Sequence, residues 1–521
     1  MSIQVLPKEQ SEIISFDPAT GEEIGRVPLL KPESVAAAVA RARAAQPAWA
    51  NLSIKERARI VLKAREIMLA EMDEIATLVS RETGKPAAEA LSMEVVPTLD
   101  AMHYFAREAG TLLQPQKIDI GQYGLMGRSS RIVYKPVGVV GIISPWNFPL
   151  GTPAEEVVMA LMPGNSVVLK PSELTPLTAL KIGEIFSKAG LPQGLLEIVT
   201  GDGSTGAALI DARVDKIMFT GSVATGKRVA EAAAKHLTPV VLELGGKDPM
   251  VVLEDADIEN AARGAVWGAF ANSGQACASV ERCYVHESVA QQFIDKVVAG
   301  TQTLHQGVGT EDGSDVGAMT TERQLEIVED HVSEAVKQGA EVLTGGERGD
   351  VQGLFYRPTV LTNVTQDMTI MQEETFGPVL PIMTFKTEEE AIRLANDSVY
   401  GLTASVWTKD ISRGKRIAER IDAGTVTVNE VLYTHAIAQT PWGGVKDSGY
   451  GRTHGRLGLL ELVTPQHIHV NRISFLPDLW WFRYTSDARQ LFRGLAQRFT
   501  SGSIVKASPL MPQVIRRWLG R

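Results

Sequence analysis

Cysteine is nearly absent from this chain. Two in 521 residues, Cys277 and Cys283, cannot build a disulfide framework, and they are too far apart in sequence for a Cys-x-x-Cys redox pair. Nine histidines are scattered with no His/Cys cluster, so no metal site is expected. No apolar stretch reaches the roughly 18 residues that a membrane span requires. The first twelve residues are polar and lack an apolar h-region, which argues against secretion and for a cytoplasmic location. Long basic runs are also missing, and the net charge is −9. Both facts exclude nucleic acid as the main partner.

What is present is an ordinary globular composition, 44% hydrophobic and 22% charged, in a chain long enough for about three domains. Short, continuous apolar runs at 139–143, 166–169, 195–200, 216–220 and 239–244 read as strands buried on both faces. Helical patterns lie between them, at 177–189 and 226–235. A second such series starts near Asp248, with 250–253 as its first strand. Strands alternating with helices predict an α/β fold built on parallel sheets. The last fifty residues differ. They carry nine Lys/Arg against two Asp, so the rest of the chain carries −16. This tail also holds Trp480, Trp481, Phe482 and Tyr484, and Leu491, Phe492, Leu495 and Phe499 form one face of a short predicted helix.

Three short segments carry chemistry. Cys277 ends the run Ser273-Gly274-Gln275-Ala276-Cys277, whose small residues let a substrate approach the thiol. Glu243 stands at a strand end in Leu242-Glu243-Leu244-Gly245-Gly246-Lys247. Asn147 follows an apolar strand in Pro145-Trp146-Asn147-Phe148-Pro149 and offers an amide to an oxyanion. A thiol with a carboxylate base points to covalent catalysis through a thioester. Each residue also has a plainer reading: a cysteine is often a small core hydrophobe, which suits Cys283, and an asparagine is often a turn residue. Lys247 is expected to support the Glu243 loop. A Gly-x-Gly-x-x-Gly string occurs at 201–206, after a strand and before a helix.

In order and spacing, these segments resemble the NAD(P)-dependent aldehyde dehydrogenase superfamily. The likeness extends through Lys170-Pro171-Ser172-Glu173, Phe219-Thr220-Gly221-Ser222, Glu373-Glu374-Thr375-Phe376-Gly377-Pro378 and Pro441-Trp442-Gly443-Gly444, over residues 10 to 470. It implies an aldehyde dehydrogenase-like fold: a Rossmann-type cofactor domain (1–117 and 137–245), an α/β catalytic domain (246–447) and a small β oligomerisation region (118–136 and 448–471). Residues 472–521 are an extension. It also implies a homodimer or homotetramer.

The resemblance assigns the pyrophosphate not to 201–206 but to the turn after Phe219, with Gly221, Ser222 and Gly226; Gly201 lies beside the adenine. Lys170 and Glu173 reach the adenine ribose, and the Glu173 carboxylate favours NAD over NADP by repelling a 2′-phosphate. Glu374 holds the nicotinamide ribose, with Phe376, Trp146 and Gly245 around it. Glu243 marks a hydrolytic enzyme rather than one that passes its acyl group to coenzyme A. A thioester passed to another acceptor, and a non-catalytic protein on the same fold, are the alternatives.

The substrate is less determined. Glu155 and Glu156 stand where relatives acting on short semialdehyde acids often carry Arg, and would repel an anionic tail. With Phe148, Trp442 and the apolar loop 429–442, they favour an aliphatic or aromatic aldehyde. The run Gly451-Arg452-Thr453-His454-Gly455 and the basic tail look like bacterial succinate-semialdehyde dehydrogenases, and Glu155 alone would suit an aminoaldehyde. The tail wraps a neighbouring subunit, caps the substrate entrance or touches a membrane surface.

Overall fold

The computed structural model describes residues 12–476, 478–499 and 510–518. Contacts divide them into two units: one takes the described residues up to Leu113 together with Pro136–Thr464, the other takes Gln114–Lys135 with the described residues from Pro465 onward.

The first unit contains an antiparallel pair, Glu12–Phe16 with Glu23–Pro28, and two larger sheets. Strands β1 (Val139–Ile143), β2 (Ser166–Lys170), β3 (Leu196–Ile198), β4 (Lys216–Thr220) and β5 (Val240–Glu243) form a parallel sheet in the order β5-β4-β1-β2-β3. All five residues of β1 and of β2 are buried, which is why these runs lack polar alternation. Each fully buried Val or Ile contributes about 1.5–3 kcal/mol by leaving water. Helix α1 (Gly151–Leu161) follows β1, and α2 (Val223–Ala234) follows β4 with Ser222 as its N-cap, accepting from the Thr225 N–H.

The second sheet contains β6 (Asp248–Val252), β7 (Val280–His286), β8 (Glu341–Thr344), β9 (Thr359–Thr362), β10 (Val379–Phe385), β11 (Thr403–Trp407) and β12 (Thr425–Val428). Their order is β8-β9-β10-β7-β6-β11-β12, parallel except for the β8–β9 pair. Helix α3 (Ile258–Phe270) joins β6 to the turn before Cys277. The chain crosses between sheets at Leu244–Lys247, the glycine-containing link between β5 and β6. The segment 448–471, expected to belong together, is divided. Its strand β13 (Gly449–Tyr450) pairs antiparallel with Glu243 and Leu242 at the edge of the first sheet.

In the second unit, strands Gln116–Ile118, Arg128–Pro136 and Val463–Asn471 make a three-stranded sheet. The tail forms helices Ser486–Phe499 and Met511–Trp518. Leu491 and Leu495 are buried against Leu479 and Val514, with Met126 and Phe492 beside them. The side chain of Phe499 lies outside the described residues. Arg517 ties the tail together by donating to the carbonyls of Leu479 (2.7 Å) and Trp481 (2.6 Å). Phe475, Trp481, Phe482 and Tyr484 stay exposed. Among the described residues no helix is long and apolar enough to cross a membrane.

Candidate active site

Cys277 lies between α3 and β7 on a loop with a forced backbone path. Asn272 and Ser273 both have φ of 54°, and Gly274 has φ of 71°. The left-handed region costs a non-glycine residue about 1–2 kcal/mol, so the turn exists only because neighbours hold it. The Ser273 hydroxyl donates to the Gly317 carbonyl (2.9 Å), and the Asn272 N–H donates to Glu89 Oε2 (2.9 Å). The Asn272 side chain donates to the carbonyls of Gln275 (2.9 Å) and Asn147 (3.1 Å). At Gly274 any Cβ would lie 2.1 Å from the Gly377 oxygen, so only glycine fits. Cys283, in contrast, is buried within β7 between β6 and β10, as a core hydrophobe would be.

Asn147 follows β1 and faces this loop. Its Nδ2 donates to the Gln275 carbonyl at 3.0 Å. Its own carbonyl accepts from Lys85 Nζ at 2.7 Å, and Lys85 is paired with Glu94 at 2.6 Å, both side chains fully buried. The other Glu94 oxygen accepts from the N–H groups of Leu150 (2.8 Å) and Gly151 (3.0 Å), fixing the start of α1. Glu94 stands in a π-helical turn, Ala90–Val95. Lys85 and Glu94 carry no sequence motif; the π-turn, a common mark of functional sites, shows only in the backbone.

Glu243 ends β5 and is buried. The indole N–H of Trp442 donates to its Oε1 at 3.1 Å. Burial raises its carboxyl to about 7, while the Trp442 hydrogen bond and the neighbouring Cys277 thiol pull it down. The Cys277 thiol is itself pushed well above the ordinary range, by burial first and then by the carboxylates of Glu243, Asp248 and Glu374. The resting sulfur is therefore a thiol. Glu374 accepts from the Gly246 N–H at 3.0 Å, and burial, followed by the charge of Glu281, raises it to about 8. Its carboxylate fills the space that a side chain at Gly245 would take: a Cβ there would lie 2.2 Å from Oε2. Glu281 anchors this segment, accepting from the Thr375 and Phe376 N–H groups (both 2.8 Å) and from Lys247 (2.5 Å). The Phe376 ring meets Trp146 edge-on at 5.5 Å.

One cavity of about 1050 Å³ brings most of these side chains together. Asn147, Glu243 and Cys277 line it, as do Trp146, Phe148, Glu155, Gly221, Ser222, Gly245, Glu374, Phe376 and Trp442. Lys170, Glu173, Gly201 and Gly226 are not in its wall. Lys170 and Glu173 follow β2 and pair with each other at 3.2 Å. Gly226 lies inside α2 against Leu244. Gly201 precedes a helix whose start is capped by Asp202, which accepts from the Ser204 N–H at 2.8 Å. That carboxylate occupies the helix start where an anion would bind.

Beside Trp442 the structure assembles a group invisible in the sequence spacing. His454 Nε2 and Glu155 Oε2 are 2.6 Å apart and both residues are buried. The His435 ring lies edge-on to His454 (4.8 Å) and to Trp442 (5.0 Å). Burial lowers His435 to about 4 and keeps it neutral. Glu156 is also buried. Its carboxyl is pushed well above the ordinary range by burial and by the charges of Glu243 and Glu155. The expected pair of repelling carboxylates is thus modified: burial disfavours charge on Glu156, and Glu155 is hydrogen-bonded to His454.

A model of the Aldehyde dehydrogenase family matches residues 5–468. The chain belongs to this family. The enzyme class is therefore NAD(P)-dependent aldehyde oxidation. The chain is 40% identical to the 4,4'-diapolycopene aldehyde oxidase of a Methylomonas species, over 92% of this chain and 90% of that protein. It is 40% identical, over 88% of this chain and 90% of the relative, to a Mycobacterium ulcerans protein provisionally named succinate-semialdehyde dehydrogenase (NADP+) 2. Among solved structures, the NAD+ complex of an aldehyde dehydrogenase from Bacillus cereus superposes with a TM-score of 0.85 at 37% identity, covering 88% of this chain and 93% of that one. In this aldehyde dehydrogenase the motifs around Asn147, Glu243, Cys277, Glu374 and Trp442 fall around one cavity, while Lys85, Glu94, Glu281 and His435 enter only through tertiary contacts.

Proposed function

We propose that this aldehyde dehydrogenase oxidises an apolar aliphatic or aromatic aldehyde to its carboxylic acid through a thioester on Cys277, using NAD. The observation that carries the proposal is the buried Glu243 carboxyl, poised near pH 7 beside the Cys277 thiol and held by Trp442 at 3.1 Å. Because the thiol is raised, the sulfur needs a base to become a nucleophile. Glu243 takes that proton, and the thiolate adds to the aldehyde carbon. The developing oxyanion accepts from the Asn147 amide and the Cys277 backbone N–H. Asn147 now spends one N–H on the Gln275 carbonyl, which leaves its second for the substrate. Bound nicotinamide supplies the acceptor for the hydride that leaves the adduct. Glu243 releases that proton to solvent and, as a carboxylate again, takes one from the water that adds to the thioester; the C–S bond then breaks, the carboxylic acid leaves, and the Cys277 sulfur regains a proton from Glu243.

The residues fit a dinucleotide. The start of α2, capped by Ser222, opens on the cavity and provides N–H groups for a pyrophosphate. The close approach of the Glu374 carboxylate to Gly245, at the cavity wall, supports a role for it on a ribose diol. Lys170 and Glu173 suit the adenine ribose, and pairing with Glu173 offsets the lysine charge that a 2′-phosphate would need, which favours NAD.

The substrate assignment rests on the wall around Phe148, Leu432 and Trp442. The cations that line the cavity are elsewhere: Lys227 on α2, paired with Asp447, and Arg323 beside Gln324, which bonds the Thr375 carbonyl. A distal carboxylate would find no positive partner beside Glu155. The relative named for 4,4'-diapolycopene aldehyde supports this choice. The provisional name of the mycobacterial relative favours succinic semialdehyde, the second reading. Exposed Phe475, Trp481 and Phe482 support a homo-oligomer with the tail against a neighbouring subunit.

The test follows NADH at 340 nm across aliphatic aldehydes, benzaldehyde, succinic semialdehyde and an aminoaldehyde. Activity that grows with aliphatic length and vanishes in Cys277→Ala is expected. Selective turnover of succinic semialdehyde would overturn the substrate assignment. Glu243→Gln should give a burst of NADH and then stall; unchanged steady turnover would remove Glu243 from the base role.

A further inference from the structure

We propose that Glu155, His435 and His454 form a binding site for a divalent metal ion of the zinc class, and that the ion closes the aldehyde cavity. The proposal rests on the assignment of this cavity to the aldehyde. The ligand atoms of the three side chains lie within 4.8 Å of one another, and all three residues line the cavity. Two imidazoles and a carboxylate are donors of intermediate softness, which suit zinc, cobalt or nickel rather than magnesium or calcium. Three protein ligands with one open position are the usual arrangement at an accessible zinc ion.

A further observation singles this cluster out: the two histidines are held in mutual register. Trp442 and Thr453 exchange both backbone hydrogen bonds (2.9 and 2.8 Å), and the Gly455 N–H donates to the Ala438 carbonyl (2.8 Å). The loop bearing His435 is thereby tied to the turn bearing His454, where φ is 59°. Binding would draw the donors together to about 3.4 Å and replace the hydrogen bond between His454 and Glu155.

An ion at this place stands against Trp442, the residue that bonds Glu243. It takes up space in the cavity that Cys277 also lines and so competes with the aldehyde. The site has a regulatory sense: free metal shuts the enzyme and a chelator reopens it.

The experiment titrates Co2+ and Zn2+ into full-length Cys277→Ala protein, which removes the competing thiolate ligand. One equivalent should bind by calorimetry, with cobalt d–d bands and no thiolate charge-transfer band. His435→Gln or His454→Gln in that background should weaken binding by about tenfold or more. In wild type, Zn2+ should inhibit competitively with aldehyde, and EDTA should reverse it. Absence of binding to Cys277→Ala would overturn the site, as would an affinity that survives both histidine changes. These binding measurements do not require turnover, so they stand or fall separately from the aldehyde assignment.

Discussion

At the scale of single residues, the proposed mechanism makes the Trp442–Glu243 hydrogen bond a tuner of the working pH. An N–H donor favours the charged carboxylate, so it lowers a pKa that burial has already raised to about 7. Below that value Glu243 holds a proton and cannot act as base, so hydrolysis falls about tenfold per pH unit. In Trp442→Phe the donor is gone, the carboxyl rises further, and the acid limb of the kcat profile moves to higher pH. At pH 6.5 the rate should drop about three- to tenfold, with less change at pH 9. An acid limb that does not move would show that Trp442 only fills space. Glu173 allows a second residue-scale test. Glu173→Gln frees Lys170 from its partner at 3.2 Å. The ratio of kcat/KM for NADP to that for NAD should then rise by about tenfold, roughly 1.4 kcal/mol.

At the scale of elements, the geometry comes from how strands end and where loops are pinned. Strands β1, β2, β4 and β5 were legible because a strand buried on both faces must be apolar throughout. The ends of α2 were less so: the pattern suggested 226–235, while Ser222 caps a helix that starts at Val223. The motifs that line the cavity could be read because small residues cluster where backbone segments come close, as at Gly274 and Gly245. Lys85 and Glu94 could not, since their partner Asn147 is 62 residues from Lys85 and burial alone makes the pair matter. Nor could the Glu155–His454 contact, which joins α1 to a turn 299 residues away. Glu94→Gln should test the support for Asn147. It keeps the shape but weakens the hold on Lys85 and on the start of α1, so kcat/KM should fall about 10- to 100-fold while circular dichroism stays unchanged. Wild-type kinetics in a folded Glu94→Gln protein would mean that Asn147 is positioned without this pair.

At the scale of the whole molecule, the tail lies beyond the family match, which stops at residue 468. Its own small core of Leu479, Leu491, Leu495 and Val514 accounts for the apolar helix face. That face is therefore spent within the unit, and the aromatics left outside, Phe475 at 82% and Phe482 at 85% exposure, are the surface that the proposed oligomer would cover. Deleting 472–521 should dissociate the oligomer on size-exclusion chromatography and leave vesicle binding unchanged. A deletion that keeps the oligomer but alters the chain-length profile would place the tail at the substrate entrance.

The carboxylates around Cys277 have a further consequence for the life of the enzyme. Oxidants attack thiolates far faster than thiols. A sulfur kept protonated by its surroundings is therefore sheltered from peroxide between turnovers and exposed only while Glu243 holds its proton. The cluster that delays the nucleophile also guards it, so peroxide should inactivate the resting enzyme more slowly than it oxidises a free cysteine at the same pH.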